Sequence, residues 1–419
     1  MAITVDASGD LSPEEQKRLK ADLHRSLFRN KVRACLLVAP LVVFILVTFV
    51  APIGNMLIRS VEDPQVNEYM PLTSEALQDW DGQELPDETI FAALAQDLIA
   101  GRESKEIGKA ATRLNYESSG MRSLIMGSAR KISRIEPPYK EALIEADKDW
   151  ADIDNWKIIK RLSSSYTSSY YVAALDMETS PDGEVSFVPE NQQIYLKLFW
   201  RTLWMSMLIT AMTVLLGYPV SYFLASLPVK KANVLMILVL LPFWTSLLVR
   251  TSSWIAMLQS QGILNDLLVW MGIIADEQRL QMIYNALGTV IAMTHILLPF
   301  MILPLYSVMK TVPPSYLRAA RSLGANPWTA FWQVYLPQTI PGISAGAILV
   351  FILAIGYYIT PALVGGQSGQ FIGNLIAYHM QGSLNWGMAA ALGVMLLVLV
   401  MGIYGLYSRF VGVNNVKLG

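Results

Sequence analysis

Cysteine is nearly absent. The 419 residues contain one, Cys35, inside an apolar run, so neither an intrachain disulfide framework nor a Cys-based metal site can be built. Histidine is almost as scarce: His24, His295 and His379 are too scattered to suggest a metal cluster, and the expected metal complement is none. No G-x-x-x-x-G-K-[ST] stretch occurs, which excludes a Walker-type nucleotide site carried by this chain. Internal repeats and low-complexity tracts are missing too. Charge is thin, 16% of residues against roughly 25% in ordinary soluble domains. With 53% hydrophobic residues and a mean hydropathy of +0.39, the composition argues against a purely soluble protein.

The charges that remain are unevenly placed. In total, 32 Lys+Arg against 33 Asp+Glu leave −1, which gives no sign of a nucleic-acid partner. Residues 60–200, however, hold 25 acidic and 14 basic side chains, a balance of −11, while the remainder holds 8 and 18, a balance of +10. Two materials are joined in one chain.

A spanning helix needs about 20 mostly apolar residues. Six stretches qualify, near 34–58, 202–226, 233–257, 286–309, 341–363 and 388–411. The first is longer than the apolar core of a secretory signal and follows a polar segment, so it reads as a retained helix. Basic residues of short flanking loops stay on the cytoplasmic side. Lys17, Arg18, Lys20, Arg25, Arg29, Lys31 and Arg33 precede the first helix, Lys230 and Lys231 separate the second and third, and Lys310, Arg318 and Arg321 lie between the fourth and fifth. Both termini are therefore expected in the cytoplasm, in a multi-pass membrane protein. The expected fold is an all-α membrane protein with six transmembrane helices. Its parts are an N-terminal cytoplasmic segment 1–33, helix 34–58, an external insert 59–198 and a core 199–419.

The insert is too long for a simple connection and should be folded and mainly helical. Phe91, Leu94, Leu98 and Ile99 form an apolar stripe at helical spacing with acids opposite. The Ser/Tyr-rich stretch from Ser163 to Tyr171 reads as strand or loop. An acidic surface of this kind attracts cations, or simply keeps a hydrophilic domain solvated.

The loop at 310–340 has the most legible local grammar. Pro313 and Pro314 end the fourth helix, and good helix formers run from Ser315 to Leu323. Gly324 then stands where a left-handed helix cap is expected, Asn326 where an N-cap is, and Pro327 at the first position of a second helix. The prediction is helix, glycine turn, helix on the inner face of the membrane. Small Ala319 and Ala320 would let another protein approach, with Trp328, Phe331 and Trp332 anchoring the second helix in the interface. An amphipathic surface helix with no partner is the alternative.

The segment LRAARSLGANPWTAFWQVYLP at 317–337 resembles the EAA loop of ABC-importer permeases, a pattern of E-A-A, three residues, G, nine residues and I-x-L-P. Ala319, Ala320 and Gly324 match, the nine-residue gap is kept, and Val334, Leu336 and Pro337 fill the last positions; Arg318, followed by Arg321, stands where the family usually has glutamate. LLPFWTSLLVRTSSW at 240–254, GILNDLLVWMG at 262–272, ILLPFMILPLYSVMK at 296–310 and ITPALVGG at 359–366 are similar to the spermidine/putrescine-type (PotB/PotH) branch. The likeness covers about 199–411. It implies a type I (MetI-like) permease core that binds no cofactor itself and catalyses no reaction. ATP and Mg would act at two partner ATPase subunits that dock on the coupling loop. A second permease subunit and a periplasmic solute-binding protein complete the implied assembly. The implied solute is a polyamine, or a similar small cationic or amino-acid-like compound.

Candidate path residues follow from the cost of polar groups in the membrane. Arg250 near the outer end of helix three either snorkels to the interface or faces the pore or the insert. His295 inside helix four either lines the path or bonds a neighbouring helix. Trp244 belongs to the first matching block. Tyr357, Tyr358 and Thr360 offer aromatic faces for an ammonium group, at about 0.5–2 kcal/mol each, although an interfacial aromatic belt explains the tyrosines equally well. A polycation also wants carboxylates, yet none occurs from Leu280 to Gly419. The companion permease or the binding protein would have to supply them, unless the solute is not a polyamine. Two rivals differ in class: a stand-alone secondary transporter or channel with an acidic external domain, and a tethered solute-binding or receptor module anchored by its helices.

Overall fold

A computed structural model describes residues 13–411; residues 1–12 of the predicted N-terminal segment and 412–419 of the predicted core lie outside them. The chain divides into two units, 1–58 and 59–419.

In the first unit the basic segment and the apolar run are one helix. Glu, Gln, Lys, Arg and Leu favour helix on both sides of the polarity change, and α1 runs from Pro13 to Ile45, through a π turn at Leu46–Val50, into α2 (Ala51–Arg59). Leu23–Arg59 is long and apolar enough to cross a membrane, and Cys35 on it is exposed.

The second unit begins with the insert. Seven helices, α3 (Gln65–Tyr69), α4 (Pro71–Ala76), α5 (Glu88–Ser104), α6 (Ile107–Glu117), α7 (Met121–Lys131), α8 (Tyr139–Ala146) and α9 (Ile153–Leu162), enclose a core of their own. Phe91 and Trp156 meet edge to face with centroids 4.7 Å apart, and Trp150 lies 5.1 Å from Trp156. Both indoles are satisfied, Trp156 donating to the Trp150 carbonyl and Trp150 to the Ser128 hydroxyl, as buried indoles require. Phe91, Leu94 and Leu98 of the predicted stripe are buried, but Ile99 is 39% exposed. Ala95 is buried instead, because the residues that face the core, Phe91, Leu94, Ala95 and Leu98, fill one arc of the helix and Ile99 falls just beyond its edge. Of the stretch read as strand or loop, residues 163–168 are a loop with one bridge, Glu62 to Tyr166, and Ser169–Tyr171 are helical, opening α10 (Ser169–Ala174). The hairpin β1 (Met177–Thr179) with β2 (Val185–Phe187) is the one sheet among the described residues.

Some of the insert's acids are internal fastenings. Asp97, buried, accepts hydrogen bonds from the Thr73 amide and hydroxyl at 2.7 Å each and from the Leu72 amide. It thereby caps α4, whose own N-cap, Met70, has no acceptor. Arg113, 1% exposed, pairs with Asp63 and with Glu117, which also holds Arg161.

Of the remaining helices, α11 (Tyr195–Ser226), α15 (Ala286–Thr311), α18 (Leu336–Gly356) and α21 (Trp386–Val411) contain spanning segments. Apolar side chains gain little by facing one another rather than lipid, so close packing needs small residues. The buried face of α11 carries Thr202, Ser206, Thr213, Gly217 and Ser221. On α18, Gly342 and Gly346 admit the backbone of α15 at Leu305 and Met301. Met293, Leu297, Met301, Leu305 and Met309 of α15 fill the space between them.

Two predicted spans are interrupted. The third is α12 (Val229–Leu240) with a 3-10 turn at Leu241–Trp244, then α13 (Leu247–Leu258) and α14 (Ile263–Trp270), and the two arms diverge by 95°. Pro242 cannot donate into the helix, and the Thr245 hydroxyl bonds the Pro242 carbonyl at 2.8 Å, offering the backbone an alternative to helix. The fifth ends at Gly356 rather than 363; Tyr357 is extended, and α19 (Ile359–Val364) starts afresh. A helix through this point would drive the Pro361 ring into the Tyr357 carbonyl.

The insert is fixed to the core at named contacts. Asp176 in the left-handed region accepts from the Ile194, Tyr195 and Leu196 amides at 2.9, 2.9 and 2.7 Å, capping α11. Tyr170 packs with Phe199, Ile372, Met388 and Leu392, and the Tyr116 hydroxyl donates to the Ser383 carbonyl at 2.9 Å.

Candidate functional site

The predicted helix–glycine–helix is present. α16 covers Pro314–Ser322, and its end is a Schellman cap: Gly324, at φ 92°, donates to the Arg321 carbonyl and Ala325 to the Ala320 carbonyl, both at 3.0 Å. The Asn326 side chain accepts from the Thr329 amide at 2.8 Å, and Pro327 opens α17 (Pro327–Ala330). No residue of α16 is buried. Arg318, Ala319 and Arg321 are exposed, Ala320 is half-buried, and Leu323 at the tip is 89% exposed. Leu317 packs against the core beneath it, and the opposite side of the helix is left open.

Behind it, a π turn at Phe331–Tyr335 joins α17 to α18. Tyr335 is buried and Phe331 half-buried, and their rings pack edge to face with Tyr222 of α11. Trp332 is exposed beside Trp328, centroids 5.7 Å apart. Val334 and Leu336 are half-buried, and Pro337 is exposed. The loop thus stands on an aromatic base continuous with two spanning helices.

A second group forms where α13, α15 and α19 meet. The Trp254 indole donates to His295 Nδ1 at 3.1 Å, which leaves the proton of a neutral His295 on Nε2. Thr251 and Thr360, both fully buried, share a hydrogen bond at 3.3 Å. Arg250 directly precedes Thr251 in the first turn of α13. Of the sequence-predicted residues, Arg250 lies on α13, His295 on α15, Thr360 on α19, and Tyr357 at the end of α18 that leads into α19; Tyr358, 40% exposed, stands at the start of α19, and Trp244, 78% exposed, ends the 3-10 turn. Thr251 and Trp254 were not singled out from the sequence; the signal was their helical spacing to Arg250 within one block. Among the described residues no group of His, Cys, Asp or Glu is arranged to hold a metal.

Comparison with known proteins places these elements in a family. Residues 217–411 match the family described as binding-protein-dependent transport system inner membrane component. The spermidine/putrescine transport system permease protein PotB of Haemophilus influenzae is 37% identical over 216 residues, which are 52% of this chain and 75% of that one. PotB of Escherichia coli is 35% identical over 50% of this chain and 75% of its own. The inner membrane ABC transporter permease protein YdcU of Escherichia coli is 35% identical over 54% and 72%. Such permeases are not enzymes, since the ATPase partners hydrolyse ATP, and they work with a solute-binding protein. The stand-alone carrier and the anchored receptor fall away. The chain belongs to the binding-protein-dependent permeases of the inner membrane, as a multi-pass subunit of an ABC importer with the type I, MetI-like fold.

Proposed function

We propose that this chain is one of two permease subunits of a polyamine importer, carrying spermidine, putrescine or a similar small cationic or amino-acid-like solute. The observation that carries the reading is the exposed, glycine-capped helix α16 on its aromatic base, in a chain whose relatives are spermidine/putrescine permeases. Two ATPase subunits, with ATP and Mg, dock at 315–337, with Arg318, Ala319, Ala320, Arg321 and Gly324 at the contact and Val334, Leu336 and Pro337 carrying it to α18. Both termini then lie in the cytoplasm and the insert on the opposite side, facing the solute-binding protein.

The solute passes the region of Trp254, His295, Tyr357 and Thr360. This chain holds no carboxylate from Leu280 onward, so an ammonium group there meets aromatic faces and hydroxyls, and the companion permease or the binding protein brings the acids. ATP-driven closure of the ATPase pair displaces α16, and the bundle alternates between two states that differ in affinity for the partners.

The test is uptake of labelled spermidine and putrescine into proteoliposomes holding the complex purified through this chain. Saturable, ATP-dependent uptake supports the reading. Intact ATPase activity that ignores both polyamines while another solute stimulates it would remove the polyamine and keep the permease.

A further inference from the structure

We infer that Arg250 is a positioning residue: its guanidinium holds the break in the third span and so sets the α13 wall of the path, rather than meeting the solute. The inference rests on reading the α13, α15 and α19 region as the path, and it adds a role for the one cation there.

The break creates the need. Where α12 and its 3-10 turn stop, carbonyls are left without helical partners, and in hydrocarbon each unsatisfied group is costly. The same helix end carries partial negative charge, which favours a cation beside it. Arg250, in the first turn of α13, reaches back across the break. Its Nη2 donates to the Pro242 carbonyl in the 3-10 turn and, at 3.1 Å, to the Thr245 carbonyl in the connection, so that a residue of the second arm bonds the end of the first and the link between them. The Thr245 hydroxyl converges on the same Pro242 oxygen.

The charge is thereby partly occupied. No carboxylate pairs with Arg250 among the described residues; Nη2 meets two backbone carbonyls, while Nε is buried without a hydrogen-bond partner. A free guanidinium in the wall would repel a cationic solute; one closed over carbonyl dipoles does so far less. What the guanidinium fixes is the direction of α13. One residue along, Thr251 meets Thr360, and one turn along, Trp254 meets His295. Both contacts depend on where α13 leaves the break.

The experiment uses the full chain with its native partners in nanodiscs. Cys35→Ser removes the only cysteine, and Val234→Cys on α12 with Ala256→Cys on α13, both exposed positions, carry spin labels. With Arg250 in place the inter-label distance should be narrow. Arg250→Gln, too short to span both carbonyls, should broaden and shift it, and should lower the kcat of spermidine-stimulated ATP hydrolysis about tenfold with KM unchanged. Arg250→Lys keeps the charge and the donors and should restore most of both, which separates positioning from misfolding. An Arg250→Gln distance identical to the parent overturns the inference, and if KM then rises instead, Arg250 belongs to the solute. A complex that ignores spermidine speaks against the polyamine reading alone, because the distance measurement needs no solute.

Discussion

Tyr170 of the insert lies against Gly387 at the start of the last spanning helix, so closely that a methyl group at 387 would overlap its ring. The same ring faces inward to Arg113, whose guanidinium carbon is 4.9 Å from its centroid. One tyrosine thus joins the buried ion pairs of the insert to α21. This contact joins the Asp176 cap on α11 and the Tyr116 bond to Ser383 among the attachments of the insert.

Gly387→Leu should therefore loosen the insert without unfolding it. Overpacking of this kind costs about 1–3 kcal/mol. Amide exchange in α10 and the first turn of α21 should accelerate, while the Trp150–Trp156 core keeps its protection. Adding Tyr170→Ala should recover part of the loss, since the residues in contact are coupled. Strict additivity of the two changes would show that the contact does not hold the insert.

Gly324 offers a cleaner test of the coupling loop. Open space surrounds the position where its Cβ would stand, so a substitution there acts through backbone alone. At φ 92° a side chain costs roughly 1–2 kcal/mol. Gly324→Val should lower solute-stimulated ATP hydrolysis and leave membrane insertion intact, with Gly324→Asn milder because asparagine tolerates the left-handed region. Full activity in the valine variant would mean that the cap does not shape the docking surface.

Much of this was legible in the sequence, and the failures have physical causes. The helix–glycine–helix could be read residue by residue because Gly324, Asn326 and Pro327 act locally, through φ and a single hydrogen bond. The small-residue face of α11 and the left-handed Asp176 were not, because their meaning lies in partners far along the chain, Met301 and Leu196. Counting the insert's acids as surface charge overlooked Asp97 and Asp63, which composition cannot distinguish from solvated carboxylates. Hydropathy located the third and fifth spans but passed over their interruptions, since a single proline hardly lowers the average over about 20 residues.

Asp97 predicts a pH dependence. Burial holds its carboxyl above the usual 3.8, outweighing the hydrogen bonds from Thr73 and Leu72. In the window from 3.8 up to the raised value, the folded insert binds more protons than the unfolded chain, so its unfolding free energy falls as pH rises. The contribution is complete below that window and lost above the folded value. Asp97→Asn should flatten this slope, leaving the share of Asp63, which burial also raises. Urea unfolding of the full chain across the acid range, read by the fluorescence of the insert, measures it. An unchanged slope would mean that Asp97 stays ionised in the fold.

Arg318 tests how the coupling surface chooses its partner. It is exposed on α16 beside Arg321, so the surface offered is cationic at a position where related loops carry glutamate. The matching ATPase groove should then be acidic, and a charge reversed at an interface meets like charge as well as losing its attraction, which costs several kcal/mol. Arg318→Glu should reduce copurification of the ATPase at low salt by at least tenfold. Raising ionic strength should narrow the gap between variant and parent, because repulsion across an exposed rim is screened within about 10 Å at 0.1 M. Arg318→Ala should fall between the two. If Arg318→Glu instead binds more tightly and its advantage shrinks with salt, the partner surface is basic there, and Arg318 weakens the assembly rather than directing it.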